Sequence, residues 1–457
     1  MNILVLLHPG TNSRSILRDA ARGIERAGHR LFVWDTEPMS LAYQRDEALK
    51  PRLMSEYTAL LGAFIRANRI DASIGMWANG LLSFMNGAVP AGPGRPPRPV
   101  SFFDQIGCPH VLFWLDAPHW AHEGTFVRYC RTPIVQGPRL LHVINNAQTA
   151  REMTDVLGFT NVMARGYGVC EETFAPGPDQ KEEFDLVFAS GPGDPPPTPA
   201  ALEELDADEP DMLRVRTDAA ASALKGVRDL ASRAGPDAAP VEELLRELIR
   251  AQLTNRDEPM LDRLARLRAA GMARAVDLLC AGPQLYADAT MRVRSVERYE
   301  RAFTLAYLAR RFSVGLMGSG DFAAWGCKTI PLGYIPHEAQ ARAYSRARLG
   351  LNVMRWQDDA GLNLKCFEIT ASGVACLTTA RAGLTNLFEV GREVIAFSTP
   401  AAAARAAREL LESPQRRREI ARAGRARTLR DHTWTAWARD VLSRAVDQGQ
   451  PAANALR

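Results

Sequence analysis

Short apolar runs alternate with helical segments along the first half of the chain, and this alternation limits the fold more than any other feature. Residues 2–7, NILVLL, are continuously apolar, as expected of a central parallel strand covered on both faces. Residues 16–27 then predict a helix that ends at Gly28. Strand, helix and strand with short connections predict right-handed crossovers and a doubly wound parallel sheet, with ligands at the carboxyl ends of its strands. Four more strands of this sheet are predicted at residues 31–34, 72–76, 111–115 and 141–144.

Several polar residues follow the first predicted strand. His8 ends the strand, and Gly10, Thr11 and Asn12 lie in the loop HPGTNS, which suits a substrate that approaches the backbone. No GxGxxG follows this strand, so a dinucleotide cofactor is not indicated. The imidazole of His8 could assist a leaving phosphate or an acceptor hydroxyl, or it could pack or cap a helix.

The segment FWLDAPHW, residues 113–120, places Asp116 directly after an apolar strand and His119 three residues later. Asp116 could orient an acceptor or act as a general base, and it could equally cap the turn that follows. His119 and His122 form an HxxH pair beside Glu123, but no third ligand is placed for zinc. Histidines of a surface or a cleft explain the pair better than a zinc site, and we predict no metal.

Residues 361–391, GLNLKCFEITASGVACLTTARAGLTNLFEVG, predict two loops at the carboxyl ends of neighbouring strands. Gly361 and Asn363 suit an irregular loop before a helix, and a second loop of small residues follows the next buried strand. Lys365 and Glu368 are three residues apart near the start of the helix. A phosphate would bind Lys365, and the hydroxyls of a ribose would donate to Glu368. This arrangement indicates the donor half of an enzyme that uses sugar nucleotides; a solvated helix glutamate is the alternative for Glu368.

Composition agrees with a soluble enzyme. At 457 residues the chain exceeds one ordinary core and predicts two or three domains. A net charge of +4 is too small to indicate nucleic-acid binding. Seven scattered cysteines without a CxxC pair indicate buried free thiols in a reducing compartment. The apolar run at residues 2–7 is too short for a signal sequence or a membrane span, so a cytoplasmic protein is expected.

A second doubly wound unit is predicted in the second half of the chain, and a helical insertion interrupts it. Residues 184–189, FDLVFA, echo the first strand of the chain, and no further strand is indicated until residues 312–317. Between them, residues 195–300 have the spacing of amphipathic helices. This insertion could bind an acceptor or a partner, dimerise, or only decorate the fold. Asp206-Ala207-Asp208 mimics a DxD metal motif, but it lacks the preceding strand that such a motif needs.

Three motifs resemble the CgeB-like branch of the GT-B glycosyltransferases: GLNxKxFEIxAxG, xGLxxLFExGxEV and the terminal HTWxxWA. The resemblance is dense from residue 312 to residue 442 and looser over residues 1–190. It implies two doubly wound, Rossmann-like domains that face each other across a cleft, the first presenting an acceptor and the second holding the nucleotide sugar. One departure is Ala360, which stands eight positions before Glu368, where many retaining relatives carry a first glutamate. The resemblance also implies the donor-binding residues, which are Gly318, Gly361, Asn363, Lys365, Glu368, Gly383 and Leu384.

The domain prediction follows from the resemblance and the composition together. Residues 1–175 form an N-terminal acceptor domain, and a C-terminal helix at residues 431–447 packs back on it. Residues 183–194 and 301–430 form the C-terminal donor domain on either side of the helical insertion. Residues 448–457 are expected to be disordered.

The predicted function is transfer of a sugar from a nucleoside-diphosphate sugar to a hydroxyl of a glycan, a protein or a small molecule. Lys365 and helix N-termini would neutralise the leaving diphosphate, so no metal and no other cofactor are expected. The resemblance favours retention of configuration. Inversion would need a base, for which Asp116 and His8 are the candidates, and His119 is a third candidate catalytic residue.

Two alternatives keep the same fold. A degenerate transferase would bind nucleotide without catalysis, and a sugar-nucleotide epimerase would need further acid and base groups. The expected partners are the nucleotide sugar and the acceptor, with no nucleic acid and no membrane span. A homo-oligomer or a protein partner could form through the helical insertion.

Overall fold

The chain folds into two compact units. One unit contains Met1–Cys170 and His432–Arg457, and the other contains Glu171–Asp431. Each is built on a six-stranded parallel sheet. The structure, a computed structural model, describes residues 1–45, 50–77, 87–89, 98–119, 126–133, 135–177, 182–189, 196–318, 323–357 and 360–449.

The sheet of the first unit has the strand order 2-1-3-6-7-8, with a separate antiparallel hairpin formed by strands 4 and 5. Its strands are β1 (Asn2–Leu7), β2 (Arg30–Asp35), β3 (Ala72–Met76), β4 (Gly87–Val89), β5 (Arg98–Val100), β6 (His110–Trp114), β7 (Leu140–Ile144) and β8 (Val162–Ala164). The helices of the same stretch are α1 (Thr11–Arg26), α2 (Glu37–Arg45), α3 (Lys50–Ala67), α4 (Phe102–Ile106) and α5 (Ala147–Arg151), and a π-helical turn at Glu152–Val156 follows α5.

The five strands predicted for this sheet are confirmed. β1 and β3 occupy the predicted residues, and β2, β6 and β7 differ from the prediction by one residue at their ends. β3, β6 and β7 are buried along their whole length, because helices cover both faces of a doubly wound sheet. β8 was not predicted, since its three residues are partly exposed and carry no apolar run.

Helix α1 begins earlier than the sequence predicts. Gly10 is its N-cap in extended conformation, and Thr11 and Asn12 form its first turn. The prediction of a loop at residues 10–12 is therefore wrong beyond Gly10. Polar residues are well tolerated in a first helical turn, where the backbone N–H groups have no partner within the helix.

The chain returns to the first unit through a last helix, which packs on α1. A Cβ atom placed on Gly23 of α1 would lie 2.4 Å from the Cβ of Trp434, the first residue of that helix. Rings of Trp434 and Trp437 also make edge contacts with Phe113 of β6, with centroids 5.3 and 5.7 Å away. The helix covers Trp434–Gly449, so the first two residues of the predicted disordered end are helical. Residues 450–457 lie outside the described part of the chain.

The sheet of the second unit has the strand order 11-10-9-12-13-14. Its core joins the central strands to the helices on either side, with Leu186, Leu316, Leu349 and Leu377 among its buried residues. The strands are β9 (Phe184–Ala189), β10 (Val314–Met317), β11 (Ile330–Gly333), β12 (Ala347–Asn352), β13 (Ala375–Thr379) and β14 (Ile395–Phe397).

Helices fill the sequence between β9 and β10, as predicted for the insertion. The α-helices of the second unit are α6 (Pro199–Glu204), α7 (Met212–Lys225), α8 (Val227–Ala231), α9 (Ala238–Thr254), α10 (Met260–Leu267), α11 (Ala273–Ala281), α12 (Pro283–Arg294), α13 (Glu300–Ala309), α14 (Gln340–Tyr344), α15 (Leu364–Ala371), α16 (Pro400–Glu412) and α17 (Pro414–Asp431). The last helix, in the first unit, is α18 (Trp434–Gly449).

Two strands of the second sheet were not predicted, and one predicted helix is shorter than expected. β11 is an edge strand with mostly exposed residues and a proline, Pro331, and β14 has only three residues. Residues 337–348 of the sequence predict a helix, but the structure has a 3-10 turn, His337–Ala339, followed by the short α14. Residues 347 and 348 belong instead to β12, because pairing with β9 extends that strand backwards.

Candidate functional site

The exit loops of β12 and β13 start side by side at the carboxyl edge of the second sheet. The two strands are parallel neighbours, with Asn352 opposite Thr378. Nδ2 of Asn352 donates to the hydroxyl of Thr378 at 3.0 Å, and the backbone N–H of Met354 donates to the hydroxyl of Thr379 at 3.1 Å. Carboxyl ends of neighbouring strands are where doubly wound sheets bind ligands.

The two loops are also joined further from the strands. The backbone N–H of Gly383 donates to the carbonyl oxygen of Ala360 at 2.9 Å. Gly361 follows Ala360 directly and is buried, and Leu384 is 2% exposed at the start of a 3-10 turn. Three predicted donor-site residues, Gly361, Gly383 and Leu384, therefore lie in one hydrogen-bonded pair of loops.

Helix α15 begins directly after the first loop. Asn363 is its N-cap, and its side-chain oxygen accepts from the backbone N–H of Lys365 at 3.2 Å. An Asn in this position satisfies one of the N–H groups that a helix start leaves without a partner. The structure thus gives Asn363 a capping role that the donor-site prediction did not include.

Lys365 and Glu368 form a close ion pair on α15. Nζ of Lys365 is 2.6 Å from Oε2 of Glu368, across one turn of the helix. The side chain of Glu368 is 3% exposed and that of Lys365 is 29% exposed, so the carboxylate lies deeper than the ammonium group. Glu368 is therefore not a solvated surface glutamate, which was the alternative to a site residue.

Two residues of α14 complete this group, and the sequence did not indicate either of them as site residues. Oε1 of Gln340 accepts from Nζ of Lys365 at 2.8 Å, and the hydroxyl of Tyr344 donates to Oε2 of Glu368 at 3.3 Å. Burial, together with the charge of Glu368, raises the pKa of the Tyr344 hydroxyl well above its ordinary value. Tyr344 therefore remains a neutral hydrogen-bond donor. Spacing could not reveal these residues, because they precede Glu368 by 24 and 28 positions.

Gly318 ends β10 at the same edge of the sheet. Its φ is +105°, a conformation that residues with a side chain rarely adopt, and its N–H donates to the carbonyl oxygen of Gly333 at 2.8 Å. A turn in the backbone therefore explains the glycine. The nucleotide contact predicted for Gly318 stays a prediction.

In the first unit, His8 follows β1 and its ring is fixed by two contacts. The backbone N–H of Gly10 donates to Nδ1 at 2.9 Å, and the ring meets Trp77 edge-on with centroids 5.2 Å apart. A neutral imidazole that accepts at Nδ1 carries its proton on Nε2. His8 in this state presents an N–H donor rather than a basic nitrogen.

Asp116 and His119 follow β6 in the same unit. Asp116 is half-buried, in the bend directly after the strand. β3 lies between β1 and β6, so His8 and Asp116 start from strands about 10 Å apart at the usual strand spacing. His119 is 1% exposed, and its Nδ1 is 3.6 Å from Oε2 of the buried Glu152. This burial favours a structural role for His119, whereas Asp116 remains accessible.

The remaining candidate metal-binding residues of the sequence are the HxxH pair with Glu123 and the DxD-like triplet. His122 and Glu123, which follow His119 in the sequence, lie outside the described residues. Asp206 of the DxD-like triplet pairs with Arg310 and is largely exposed. Within the described residues, no three His, Cys, Asp or Glu side chains come together as metal ligands. No described helix is long and apolar enough to cross a membrane.

The cysteines are free thiols, and six of the seven are buried. Burial raises the pKa of the Cys108 thiol to about 11 and that of Cys130 to about 12. Buried thiols of this kind stay protonated and unreactive at neutral pH.

Comparison with known proteins gives one match to a family model and several to solved structures. Residues 294–443, which include α15 and both loops, match the model of the glycosyl transferase-like family. Sucrose-phosphate synthase from Thermosynechococcus elongatus is 11% identical, with a TM-score of 0.52, and the match covers 98% of this chain and 100% of that one. No curated protein matches.

Two further solved structures match over almost the whole chain at lower similarity. The HepE protein of Anabaena, solved with UDP and glucose, is 11% identical with a TM-score of 0.49, and the match covers 97% of this chain and 98% of that one. The T4 phage enzyme BGT, solved with its UDP-glucose substrate, is 10% identical with a TM-score of 0.46, at 98% and 100% coverage. The chain thus has the GT-B fold of two doubly wound parallel sheets, and its residues 294–443 are glycosyl transferase-like.

Proposed function

We propose that this protein transfers a glycosyl group from a nucleoside-diphosphate sugar to an acceptor hydroxyl. The observation that carries the proposal is the Lys365–Glu368 pair on α15, at the ligand edge of the second sheet. It lies within the residues that match the glycosyl transferase-like family model. The CgeB-like type remains a narrower proposal, supported by the resemblance of the three motifs.

The pair offers opposite charges to the two parts of a nucleoside diphosphate. The diphosphate would bind Nζ of Lys365, which also donates to Gln340 and Glu368. The ribose hydroxyls would then donate to the carboxylate of Glu368, whose position Tyr344 keeps. The ammonium group of Lys365 and the carboxylate of Glu368 lie one helical turn apart, so together they would both bind the nucleoside diphosphate and orient it.

In the reaction, the bond between the anomeric carbon and the diphosphate oxygen breaks, and a bond to the acceptor oxygen forms. The acceptor hydroxyl passes its proton to the departing diphosphate oxygen, and the diphosphate leaves as an anion. We propose that Lys365 and the start of α15 stabilise the charge on this leaving group, so that no metal ion is needed. Gly318, Gly361 and Gly383 would let the backbone approach the donor closely.

We assign the acceptor to the first unit, with Gly10, Thr11 and Asn12 at the start of α1 as the contact region. Retention of configuration is the proposed outcome, on the resemblance to retaining relatives. Asp116 would orient the acceptor.

Release of nucleoside diphosphate from sugar nucleotides tests the proposal. UDP-, GDP-, ADP-, CDP- and TDP-glucose are incubated with wild-type protein, with Glu368→Gln and with Glu412→Gln, an exposed glutamate at the end of α16 that serves as control. We expect release with at least one donor, roughly tenfold or more slower in Glu368→Gln, and unchanged in the control.

Two other results would replace the proposal. A nucleoside diphosphate that binds while no donor is consumed would identify a nucleotide-binding protein without transferase activity. A donor whose sugar changes configuration without release of nucleoside diphosphate would identify an epimerase.

A further inference from the structure

The helical insertion contacts the loops that carry the candidate donor site. Arg294, at the end of α12, donates from Nη1 to the carbonyl oxygen of Gln357 at 3.1 Å, in the loop after β12. Glu297 follows three residues later, and its Oε2 lies 3.6 Å from Nη2 of Arg381, in the loop after β13. One end of the insertion thus reaches both loops.

A second part of the insertion reaches the loop after β14. Arg256, between α9 and α10, donates to the carbonyl oxygen of Ser398 at 2.7 Å. Its Nη1 is also 2.5 Å from Oε2 of the buried Glu300, to which Arg216 of α7 pairs as well. The insertion therefore holds all three loops through a buried cluster of charged side chains.

The cluster packs tightly against the edge of the sheet. A partly open cavity of about 10 Å³, room for about one water molecule, lies between the insertion and the strand ends. Its lining includes Arg256, Glu297, Glu300 and Arg381 with Thr379 at the end of β13.

Glu297 forms an ion pair with Arg381, and the charge of the nearby Glu300 also attracts this arginine. The arginine is 7% exposed, and its Nε and Nη1 are buried without a hydrogen bond to any described residue. Its remaining contacts are the carboxylate of Glu297 and the carbonyl oxygen of Arg355, at 3.5 Å. A buried guanidinium with so few hydrogen bonds relies on its ion-pair partner to keep its position.

Arg381 lies near the start of the loop after β13, which contains Gly383 and Leu384. Its carbonyl oxygen accepts from the N–H of Leu384 at 3.0 Å, and Gly383, two residues later, is bonded to Ala360. A shift of Arg381 would therefore displace the backbone of Gly383 and Leu384 and loosen the pair of loops.

We propose that Glu297 is a positioning residue of the donor site: through Arg381 it fixes the loop of Gly383 and Leu384, so that the helical insertion sets the affinity for the donor. The part of this inference that concerns donor affinity rests on the proposed function. The part that concerns the order of the loop does not.

The charges around Glu297 make its hold on Arg381 dependent on pH. Burial raises the pKa of Glu297 to about 6, with Glu300 acting in the same direction and Arg381, Arg256 and Arg216 against both. Glu300 itself has a lowered pKa, because Arg256 and Arg216 outweigh its burial. Glu297 is ionised above pH 6 and holds Arg381, and it is neutralised as the pH falls through about 6.

The first experiment measures hydrogen exchange in the full-length protein at about pH 7.5, without any ligand. Wild type is compared with Glu297→Gln and with Glu242→Gln, which removes a carboxylate of the insertion that pairs with Arg246 on the same helix. The amide introduced by Glu297→Gln can still accept from Gln252, so the shape of the site is kept. We expect faster exchange over residues 380–388 in Glu297→Gln alone, while α9 and α12 stay protected in both variants. Unchanged exchange over residues 380–388 would overturn the inference whether or not nucleotide binds.

The second experiment measures the dissociation constant of the nucleoside diphosphate that binds wild type most tightly among UDP, GDP, ADP, CDP and TDP. At about pH 7.5 we expect binding about tenfold weaker in Glu297→Gln, and unchanged in Glu242→Gln. Wild type should lose affinity between about pH 7.5 and about pH 5.5, and Glu297→Gln should lose much less, since it lacks the titrating group. Equal affinity and equal pH dependence in wild type and Glu297→Gln would contradict the positioning role.

Substitutions at Arg381, the ion-pair partner of Glu297, test the same contact independently, in case Glu297→Gln misfolds. Arg381→Gln should reproduce the faster exchange and the weaker binding, and Arg381→Lys should restore most of the affinity, because it keeps the charge. If wild type binds none of the five nucleotides, the proposed function fails, and the exchange experiment alone decides the inference about the loop.

Discussion

At the scale of single residues, the candidate site is a small set of side chains that hold one another in the absence of ligand. Lys365 bridges Gln340 and Glu368, and Tyr344 supports the same carboxylate oxygen. A diphosphate that binds Nζ of Lys365 would compete with Gln340 and Glu368 for this ammonium group. The sequence predicts Lys365 and Glu368 near the start of one helix, but their ion pair was not predicted.

Lys365→Met is expected to weaken nucleoside-diphosphate binding by about tenfold or more, because a charge-assisted bond to phosphate is lost. The affinity of wild type should also fall with added salt, and that of the variant should depend less on salt. Titration calorimetry at two ionic strengths checks both expectations. Lys225→Met, at an exposed position at the end of α7, is the matched control. Equal affinities for wild type and Lys365→Met would remove Lys365 from the site.

Tyr344→Phe is expected to lower the free energy of unfolding by about 1 kcal/mol, because Glu368 loses a buried hydrogen-bond donor. Urea unfolding measures the change, and Tyr334→Phe, at a position that is 62% exposed, controls for loss of a hydroxyl. Nucleotide affinity should fall by a few-fold in Tyr344→Phe alone. A variant as stable as wild type would mean that the bond contributes nothing to the folded state.

At the scale of elements, the apolar strands were predictable and the edges of the sheets were not. β1, β3 and β9 occur at the predicted residues, because central parallel strands need continuous apolar runs. β11 and β14 carry no such run, since one is an exposed edge and the other has three residues. The start of α1 was missed because its first turn is polar, and tertiary packing rather than local preference fixes it.

The packing of α1 against α18 gives a prediction at this scale. Gly23→Ala should destabilise the protein by about 1–3 kcal/mol, because the added methyl group would meet the Cβ and the backbone of Trp434 at 2.4 and 2.5 Å. Gly62→Ala in α3 should be neutral or stabilising by about 0.5–1 kcal/mol, because its nearest contact is an ordinary 3.5 Å.

Urea unfolding of the two glycine variants separates crowding from helix propensity, since both changes replace a helical glycine by alanine. Equal free energies of unfolding would show that α18 can move away from α1 without cost, against the packing described here.

At the scale of the whole molecule, two doubly wound units and a helical insertion were predictable from patterns along the chain. The insertion follows from apolar spacing, and α9 buries the residues that keep this spacing, which are Val241, Leu244, Leu245, Leu248 and Ile249. Its contacts with the donor loops were not predictable. Arg256, Glu297 and Arg381 are of charged residue types that are usually exposed. Their ion-pair partners are distant in the sequence, so the pattern along the chain does not indicate the pairs.

The contacts of the insertion also determine whether it can be deleted without disturbing the rest of the second unit. A transferase whose insertion only decorated the fold would tolerate its removal. Here the insertion supplies Arg256 and Glu297 to the edge of the second sheet, and its removal would leave Arg381 without its counter-charge. Single substitutions that leave the insertion in place are therefore preferable to its deletion.

The most direct test of the central claim is thermal unfolding of wild type and Glu368→Gln with UDP, GDP, ADP, CDP and TDP. A nucleotide at about 100 times its dissociation constant adds ~2.7 kcal/mol to the free energy of unfolding and raises the Tm by several degrees. We predict that at least one nucleotide raises the Tm of wild type and that the shift is lost or strongly reduced in Glu368→Gln. An equal shift in both proteins, or no shift of wild type with any nucleotide, would contradict a donor site at Lys365 and Glu368.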